Sequence, residues 1–586
     1  MATTIQSDIR SALHVANLIF INPNLILSRA TASSARWFFS PRPLLSSYRR
    51  ISTPTSFRAR AFSSESTEPV VRVPEKPPIC TADELHYVSV SNSDWRPALW
   101  RYYPSPQAPP RNHPLLLLSG LGTNAIGYDL SPGSSFARYM SGQGFETWIL
   151  EVRGAGLSVQ GSTPKVVQQA AHEVSEQMEV VTKSMANGSL STDQQPSKVA
   201  SPVSDSRVSF VEEDPHLAGI VTVWDESKKV TKLTEIFMRL SERLSGFLSE
   251  SQSKIMFAKL VDQIAKILED SQLSERMNEI RGKLLSLLEA RQNSAIAGQF
   301  RDLSQGLVNV IEEGQKSVSP QLFDLQERLS STIEDFQKQL DLIVKYDWDF
   351  DNYLEEDVPA AMEYIRAQTK PKDGKLLAIG HSMGGYEGRD SGLAAIGTLA
   401  SSLNYTPSKS RLKLLLPLAD PAQALNVPVV PLGAMLSAAY PLSTRPPYVL
   451  SWLNDLISAQ DMMHPELLEK LVLNNFCTIP AKLILQLTTA FQNGGLCDRS
   501  GKFFYQDHLH KNKVPVLAIA GDRDLICPPE AVEETVKLIP EHLATYKVFG
   551  EPGGPHYAHY DLVGGRLAVE QVYPCIIEFL SRYDLT

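Results

Sequence analysis

The sequence predicts an α/β protein with a doubly wound, mostly parallel sheet, a helical cap and a long helical insertion. Short apolar runs alternate with amphipathic helical stretches in residues 78–160, 346–405 and 513–586. Such alternation is typical of parallel strands that are covered by helices on both faces. Residues 230–345 show a long helical periodicity, and residues 406–512 form a leucine-rich segment punctuated by prolines. We therefore expect one sheet whose strands come from three separated parts of the chain.

Composition limits the classes of function. The 586 residues suffice for two or three domains, or for one large domain with insertions, and 43% of them are hydrophobic. Net charge is −9, and the chain beyond residue 60 carries −16. A nucleic-acid partner is not expected, because that acidic body offers no basic surface to the phosphates. Five scattered cysteines without C-x-x-C spacing predict neither a disulfide framework nor a metal site, and no cofactor is expected.

The N-terminus has the composition of a targeting segment. Residues 1–60 contain eight arginines, no lysine and one acid, Asp8. This composition predicts that residues 1–65 are a disordered organelle transit peptide. The serine content and the Met-Ala-Thr start favour the chloroplast. The absence of lysine and the stretch "RARAFSS" at 58–64 favour the mitochondrion, which stays the alternative.

The first part of the core, residues 78–160, contains the alternating pattern in its simplest form. The three β-like runs lie at 86–91, 98–103 and 115–119. "SSFARYMSGQG" at 134–144 predicts a helix that ends at a glycine, and "ETWILEV" at 146–152 predicts a buried strand. Residues 161–229 are polar and without a clear period, which predicts a low-complexity linker.

The insertion at 230–345 is predicted to be helical. Apolar residues recur three and four apart, beginning with Leu233, Ile236, Phe237 and Leu240. This spacing gives each helix one apolar face. The helices can pack on each other or on the core, associate as a coiled coil, or bind a membrane surface or a protein partner. The sequence leaves that choice open.

The α/β pattern resumes at residue 346. The amphipathic stretch at 351–368 predicts a helix, and the apolar runs at 375–381, 514–524 and 544–550 predict strands, followed by a last helix at 568–580. The segment at 406–512 has the appearance of a helical cap over an active site. We expect a nucleophilic serine to lie in 346–405, and its acid and histidine partners to lie in 513–586.

A serine between glycines marks the end of one predicted strand. Ser382 stands in "GHSMGG", directly after the apolar run at 375–381. A sharp turn after a strand can project a serine hydroxyl clear of the sheet, where a base can activate it. His381 would point to the opposite side and is predicted to be packed.

Candidate acids and bases follow in the order that such a serine requires. Asp524 in "AGDRDLICPP" is the predicted acid, with Asp522 as the alternative. His559 in "PHYAHYDLVGG" is the predicted base, because it leads straight into the last helix. His556 is the alternative base.

A glycine-rich turn supplies the third requirement of acyl transfer. "LLLLSGLGTN" at 115–124 places a turn, residues 119–122, after the third predicted strand. Its Leu121 N–H group, together with that of Met383, is the predicted oxyanion hole.

Taken together, these motifs resemble the α/β-hydrolase superfamily. "YDLSPGSSFARYMSGQGFETWILEVRGAG" and "DVPAAMEYI" resemble its lipase and polyhydroxyalkanoate-synthase-like members, and the overall layout resembles a plant organellar branch. The resemblance covers about 80–160 and 346–584. It implies a serine hydrolase of carboxylic esters acting on lipid or other hydrophobic acyl substrates.

One departure from the family concerns the residues after Ser382. A helix of about a dozen residues normally follows the nucleophile in this fold. Here only residues 383–392, rich in glycine and charge, precede the next predicted strand at 393–401. Alternatively, residues 393–403 are the displaced helix and 412–419 the next strand. This departure gives one alternative function, a catalytically impaired hydrolase-like scaffold. An acyltransferase on the same triad is the other alternative.

Overall fold

The computed structural model describes residues 76–161, 169–176, 338, 341–382, 392–413 and 429–585, apart from 92, 132 and 447. The predicted transit peptide, nearly all of the linker and of the helical insertion, and Met383 lie outside the described residues. What the sequence predicts for them stays a prediction.

Within the described residues, eight strands form the central sheet. They are labelled β1 to β8 in chain order: Glu84–Tyr87, Ala98–Tyr102, Leu115–Leu118, Thr147–Glu151, Leu376–His381, Leu393–Leu399, Val516–Gly521 and Ala544–Phe549. Their order is β1-β2-β4-β3-β5-β6-β7-β8. β2 runs antiparallel to both neighbours, and every other adjacent pair is parallel. The predicted α/β-hydrolase fold is confirmed.

The central strands are apolar because both of their faces are covered. β5 and β7 are buried at every residue, and β3 at all but its last. Parallel strands in this position read as continuous apolar runs rather than as alternating ones. Two short antiparallel pairs lie outside the main sheet: Trp95–Arg96 with Val159–Gln160, and Val429–Pro431 with Thr478–Pro480.

Among the described residues, the longer α-helices with complete bounds cover the sheet and the segment before β7. They are labelled α1 to α7 in chain order: Phe136–Gly142, Val358–Thr369, Leu432–Thr444, Pro465–Asn474, Ala481–Thr488, Pro529–Val536 and Ala568–Tyr583. Shorter helical turns span Ala125–Tyr128, Phe350–Asn352, Tyr353–Asp357, Ser451–Leu453, Asn454–Ile457, Thr489–Phe491, Tyr505–Lys511, Glu541–Leu543 and Asp561–Gly564. Across the described ranges, no helix has both the length and the apolar character needed to span a bilayer.

One face of the sheet is covered by α1 and α7. Ser135 caps α1 by accepting the Arg138 N–H, which fixes where the helix begins. Phe136 of α1 and Tyr573 of α7 stack edge to face with ring centroids 4.8 Å apart. The two helices therefore form one continuous layer.

The opposite face carries α2. Tyr364 of α2 packs at right angles to Trp148 of β4, with ring centroids 6.3 Å apart. Trp148, Leu116, Ala378 and Ile396 are paired in register across β4, β3, β5 and β6. Because paired residues in register point to the same side, all four side chains face the layer that contains α2. The helix predicted at 351–368 consists of three consecutive pieces, and its middle piece, Tyr353–Asp357, is π-helical.

The strand after Ser382 is β6. Leu393–Leu399 pairs in parallel with β5 on one side and with β7 on the other. The interpretation of 393–403 as a displaced helix is therefore wrong, because these residues complete the sheet. Residues 169–176, within the predicted linker, are helical. Ala171 is buried there and Val174 packs against the core, so a short apolar stripe is present in an otherwise polar stretch.

Candidate active site

The chain makes a sharp turn where β5 ends. Ser382 follows His381 with a φ of 61°, in the left-handed region that costs a non-glycine residue about 1–3 kcal/mol. Its N–H donates to the carbonyl oxygen of Leu399 at 2.9 Å, which ties the turn to the end of β6. A strained serine at the carboxyl end of a central strand is the position that a nucleophile occupies in this fold.

The turn after β3 approaches Ser382 closely. A Cβ atom on Gly120 would lie 2.9 Å from the Ser382 Cβ and 3.5 Å from its Oγ. Only glycine leaves room for this approach. Leu121, whose N–H is a predicted oxyanion donor, is the next residue in the chain. Met383, the second predicted oxyanion donor, lies outside the described residues.

Several hydrogen bonds hold that turn in place. The Thr123 hydroxyl donates to the Gly120 carbonyl oxygen at 2.8 Å, and the Ser119 hydroxyl donates to that of Asn124 at 3.2 Å. From the cap, the Cys477 N–H donates to the Gly122 carbonyl oxygen at 2.8 Å. The cap therefore helps to fix the backbone that is predicted to bind the oxyanion.

Asp524 and His559 form a buried pair. The Nδ1 atom of His559 lies 2.8 Å from one carboxylate oxygen of Asp524. The other oxygen accepts the N–H groups of Ile526 and Cys527, both at 2.8 Å. A carboxylate fixed in this way favours the imidazole with its proton on Nδ1, which leaves Nε2 as a proton acceptor.

His381 connects this pair to the nucleophile turn. Its Nε2 donates to the His559 carbonyl oxygen at 3.0 Å, and the two rings lie 4.6 Å apart. Burial and the neighbouring His559 lower the pKa of His381 to about 3, so the ring is neutral. His381 is packed, as predicted, and its contact brings the His559 loop to the residue that precedes Ser382.

The alternative acid and base also pair with each other. His556 Nδ1 lies 2.5 Å from a carboxylate oxygen of Asp522, whose other oxygen accepts the Tyr557 N–H at 2.9 Å. Both side chains are partly exposed. The structure thus contains two Asp–His pairs within the same two loops.

Asn475 in the cap is a site residue that the sequence analysis missed. Its side-chain oxygen accepts the Gly127 N–H at 3.0 Å, and its side-chain nitrogen donates to the Tyr560 hydroxyl at 2.9 Å. Its carbonyl oxygen accepts the Asn124 N–H at 3.0 Å. Asn475 therefore links the cap, the glycine-rich turn and the neighbour of His559. No local pattern in "VLNNFCTIP" indicates this role.

Glu151 is a second missed residue. It ends β4, is fully buried, and accepts the N–H groups of Ala125 at 2.9 Å and Leu157 at 2.8 Å. Burial raises the pKa of its carboxyl to about 7. An acid that closes the otherwise apolar run "TWILE" is the signal that could have identified it. No cluster of three or more candidate metal ligands occurs in the part of the chain that the structure describes.

Solved structures similar to this chain include a lipase, an esterase and a hydrolase. A soluble variant of monoglyceride lipase from Saccharomyces cerevisiae is 11% identical with a TM-score of 0.38, over 88% of this chain and 99% of that one. An esterase from Thermogutta terrifontis is 11% identical with a TM-score of 0.35, over 85% and 98%. An alpha/beta fold family hydrolase from Bacillus anthracis is 10% identical with a TM-score of 0.32, over 85% and 97%. No protein-family model and no curated protein matches the chain.

Proposed function

We propose that this protein is a serine hydrolase of carboxylic esters, with Ser382 as nucleophile, His559 as base and Asp524 as the residue that orients His559. One observation carries the proposal. The His559 imidazole is paired with the buried Asp524 carboxylate, and the backbone carbonyl oxygen of His559 accepts a hydrogen bond from His381, the residue that precedes the strained Ser382. Nucleophile, base and orienting acid are the three parts that acyl transfer by serine requires.

The proposed reaction uses these residues in sequence. Nε2 of His559 takes the proton of the Ser382 hydroxyl, whose oxygen attacks the ester carbonyl carbon. The N–H groups of Leu121 and Met383 stabilise the resulting oxyanion. The intermediate then expels the alcohol, which receives the proton from His559. A water molecule, activated by the same imidazole, releases the acid and restores Ser382.

A hydrophobic acyl substrate fits the cap. α3 carries the apolar sequence "LGAMLSAAYPL", and the exposed large hydrophobic residues at and after its end are Leu442, Tyr448 and Val449. An apolar ester that approaches from this side loses contact with water as it binds. We therefore place lipids and other hydrophobic esters ahead of small polar esters as substrates.

A hydrolase-like scaffold without activity is the second candidate. The connection from β5 to β6 consists only of residues 382–392. It has fewer residues than the helix that normally follows the nucleophile in this fold, and the N-terminus of such a helix stabilises negative charge. On this alternative, Ser382 does not act as a nucleophile, and the protein binds partners.

Hydrolysis of p-nitrophenyl butyrate by wild type and Ser382→Ala tests the proposal. We expect the Ser382→Ala rate to fall about a thousandfold or more, while Ser451→Ala, at an exposed position, stays near wild type. A folded wild-type protein with no ester hydrolysis favours the scaffold. Product analysis with added alcohol distinguishes a hydrolase from an acyltransferase on the same triad. The acyltransferase forms a new ester, whereas the hydrolase releases the acid.

A further inference from the structure

A buried carboxylate beside the proposed base has no part in the proposed reaction. Asp561 lies two residues after His559 and is excluded from solvent. One of its oxygens accepts the N–H groups of Ala459 at 2.7 Å and Ala558 at 2.8 Å, and the other accepts the Ser458 hydroxyl at 2.5 Å. Burial raises the pKa of Asp561 to about 6. At pH 8 the carboxylate is therefore ionised and accepts all three hydrogen bonds.

The hydrogen bonds of Asp561 join the cap to the loop of the base. Ala558 precedes His559 and is held to the cap through the Asp561 carboxylate. Tyr560 follows His559, and its N–H donates directly to the carbonyl oxygen of Ile457, which also belongs to the cap, at 2.9 Å. The backbone is therefore fixed to one short stretch of the cap immediately before and immediately after the residue that carries the imidazole.

The position of the His559 backbone matters for proton transfer. Nε2 of the imidazole must come within hydrogen-bond reach of the Ser382 hydroxyl, and a displacement of about 1 Å can cost roughly a hundredfold in rate. Asp524 holds the Nδ1 edge of the ring at 2.8 Å and so sets the direction in which the ring points. The point from which the ring projects depends on the backbone, which His381 holds from the core and Asp561 holds from the cap.

We propose that Asp561 is a positioning residue through which the cap sets the distance between the His559 imidazole and the Ser382 hydroxyl. The inference rests on the proposed function and adds a second acid to the site. This acid acts on the backbone beside the base, whereas Asp524 acts on the ring. The cap then contributes to the rate of the chemical step as well as to substrate binding.

Two variants of Asp561 and a matched control separate positioning from stability. Asp561→Ala removes the acceptor of all three donors. Asp561→Asn keeps one carbonyl oxygen for the two N–H groups, and the Ser458 hydroxyl can turn to accept the amide NH₂. The control is Asp584→Ala. Asp584 is also a buried carboxylate that accepts backbone N–H groups, from Asn112 at 3.1 Å and His113 at 2.9 Å, but it lies at the other end of β3 from the glycine-rich turn.

The measurement is kcat and KM for p-nitrophenyl butyrate at pH 8, together with urea unfolding of each protein. Asp561→Ala should lower kcat about tenfold to a hundredfold and leave KM within about threefold of wild type, because His559 acts in both the acylation and the hydrolysis of the acyl-enzyme. Asp561→Asn should recover most of that loss. Asp584→Ala should lower the urea midpoint to a similar extent and keep kcat within about threefold of wild type.

Ser458→Ala decides the question if Asp561→Ala does not fold. It removes one of the three hydrogen bonds and leaves the carboxylate in place. We expect kcat to fall about threefold to tenfold with KM unchanged. A folded Ser458→Ala protein with the wild-type kcat then overturns the inference.

The outcomes separate this inference from the function on which it rests. Ester hydrolysis by wild type with an unchanged kcat in folded Asp561→Ala overturns the positioning role and leaves the serine hydrolase in place. A loss of kcat that appears equally in Asp584→Ala overturns it as well, because the loss then follows stability. A change confined to KM would place Asp561 in substrate binding and likewise overturn it. A folded wild type that hydrolyses no ester overturns the proposed function, and the inference with it.

Discussion

Two Asp–His pairs lie side by side in the loops that follow β7 and β8, and they differ in their surroundings. The Asp524–His559 side chains are 0% and 4% exposed, whereas those of Asp522–His556 are 23% and 33% exposed. The first pair contacts His381 at the nucleophile turn. The second ties the Tyr557 N–H to Asp522 and faces water more openly. The surroundings of Asp524–His559 therefore suit proton transfer, whereas those of Asp522–His556 suit holding a loop in place.

A short distance between acid and imidazole therefore does not identify a catalytic pair. The more exposed pair is in fact the shorter of the two, at 2.5 Å against 2.8 Å. Water screens the charges of an exposed pair and competes for its hydrogen bonds, so the pair contributes little free energy towards a fixed orientation of the imidazole. Burial and the contact with the residue before Ser382 distinguish the pair that we propose to be catalytic.

Removing each imidazole is the strongest test of the comparison. His559→Ala should lower kcat/KM for p-nitrophenyl butyrate by about 10³ to 10⁴, because the Ser382 hydroxyl loses its proton acceptor. His556→Ala should stay within about threefold of wild type. Equal losses in the two variants would break the distinction between the pairs.

Replacing each acid is the next test. Asp524→Asn should reduce kcat/KM on the order of a thousandfold, since an amide can present its NH₂ to Nδ1 and favour the wrong tautomer of His559. Asp522→Asn should leave the rate nearly unchanged. Steady-state kinetics on both variants measures this. A greater loss in Asp522→Asn would assign the acid to the alternative residue.

Substitution of Asn475 tests whether the cap stabilises the buried surroundings of the Asp524–His559 pair. Asn475→Ala leaves the Gly127 N–H without a side-chain partner and removes the amide donor to the Tyr560 hydroxyl, so we expect a loss of roughly 1–3 kcal/mol in the free energy of unfolding. Activity should fall as well, because Tyr560 neighbours His559. Asn454→Ala, which removes one long hydrogen bond of 3.5 Å, is the control and should lose much less. Urea unfolding measures both, and equal losses would refute the role of Asn475.

Glu151 is a buried acid in a different setting. Like Asp524, it accepts backbone N–H groups, but Asp524 also contacts an imidazole. Burial raises the Glu151 pKa from 4.5 to about 7, so between these values the folded protein retains a proton that the unfolded chain releases. Its contribution to stability is therefore lost as pH rises from about 5 to 8.

Glu151→Gln should remove that part of the pH dependence. Relative to wild type, its free energy of unfolding should increase by up to roughly 3 kcal/mol between pH 5 and pH 8. Urea midpoints at three pH values measure the difference, with the exposed Glu541→Gln as control. A constant difference across this range would show that Glu151 does not titrate there.

The sequence predicted those parts of the fold that depend on local pattern. The apolar runs of β3, β5 and β7 are near-continuous because both faces are buried. That pattern predicts Ser382 directly after β5, and Asp524 and His559 in the loops after β7 and β8. Asn475 could not be predicted, because its partners lie some 350 and 85 positions away in the chain. Ranking the two Asp–His pairs likewise required the exposed fractions of their side chains. The sequences of two neighbouring loops do not reveal these fractions.

The most direct test is to locate the adduct of an alkyl fluorophosphonate by peptide mass spectrometry. We predict one modified peptide in wild type, with the phosphonyl group on Ser382, no adduct in Ser382→Ala, and labelling slowed by orders of magnitude in His559→Ala but not in His556→Ala. An adduct on another residue, or folded wild-type protein that does not react, would contradict the proposed triad.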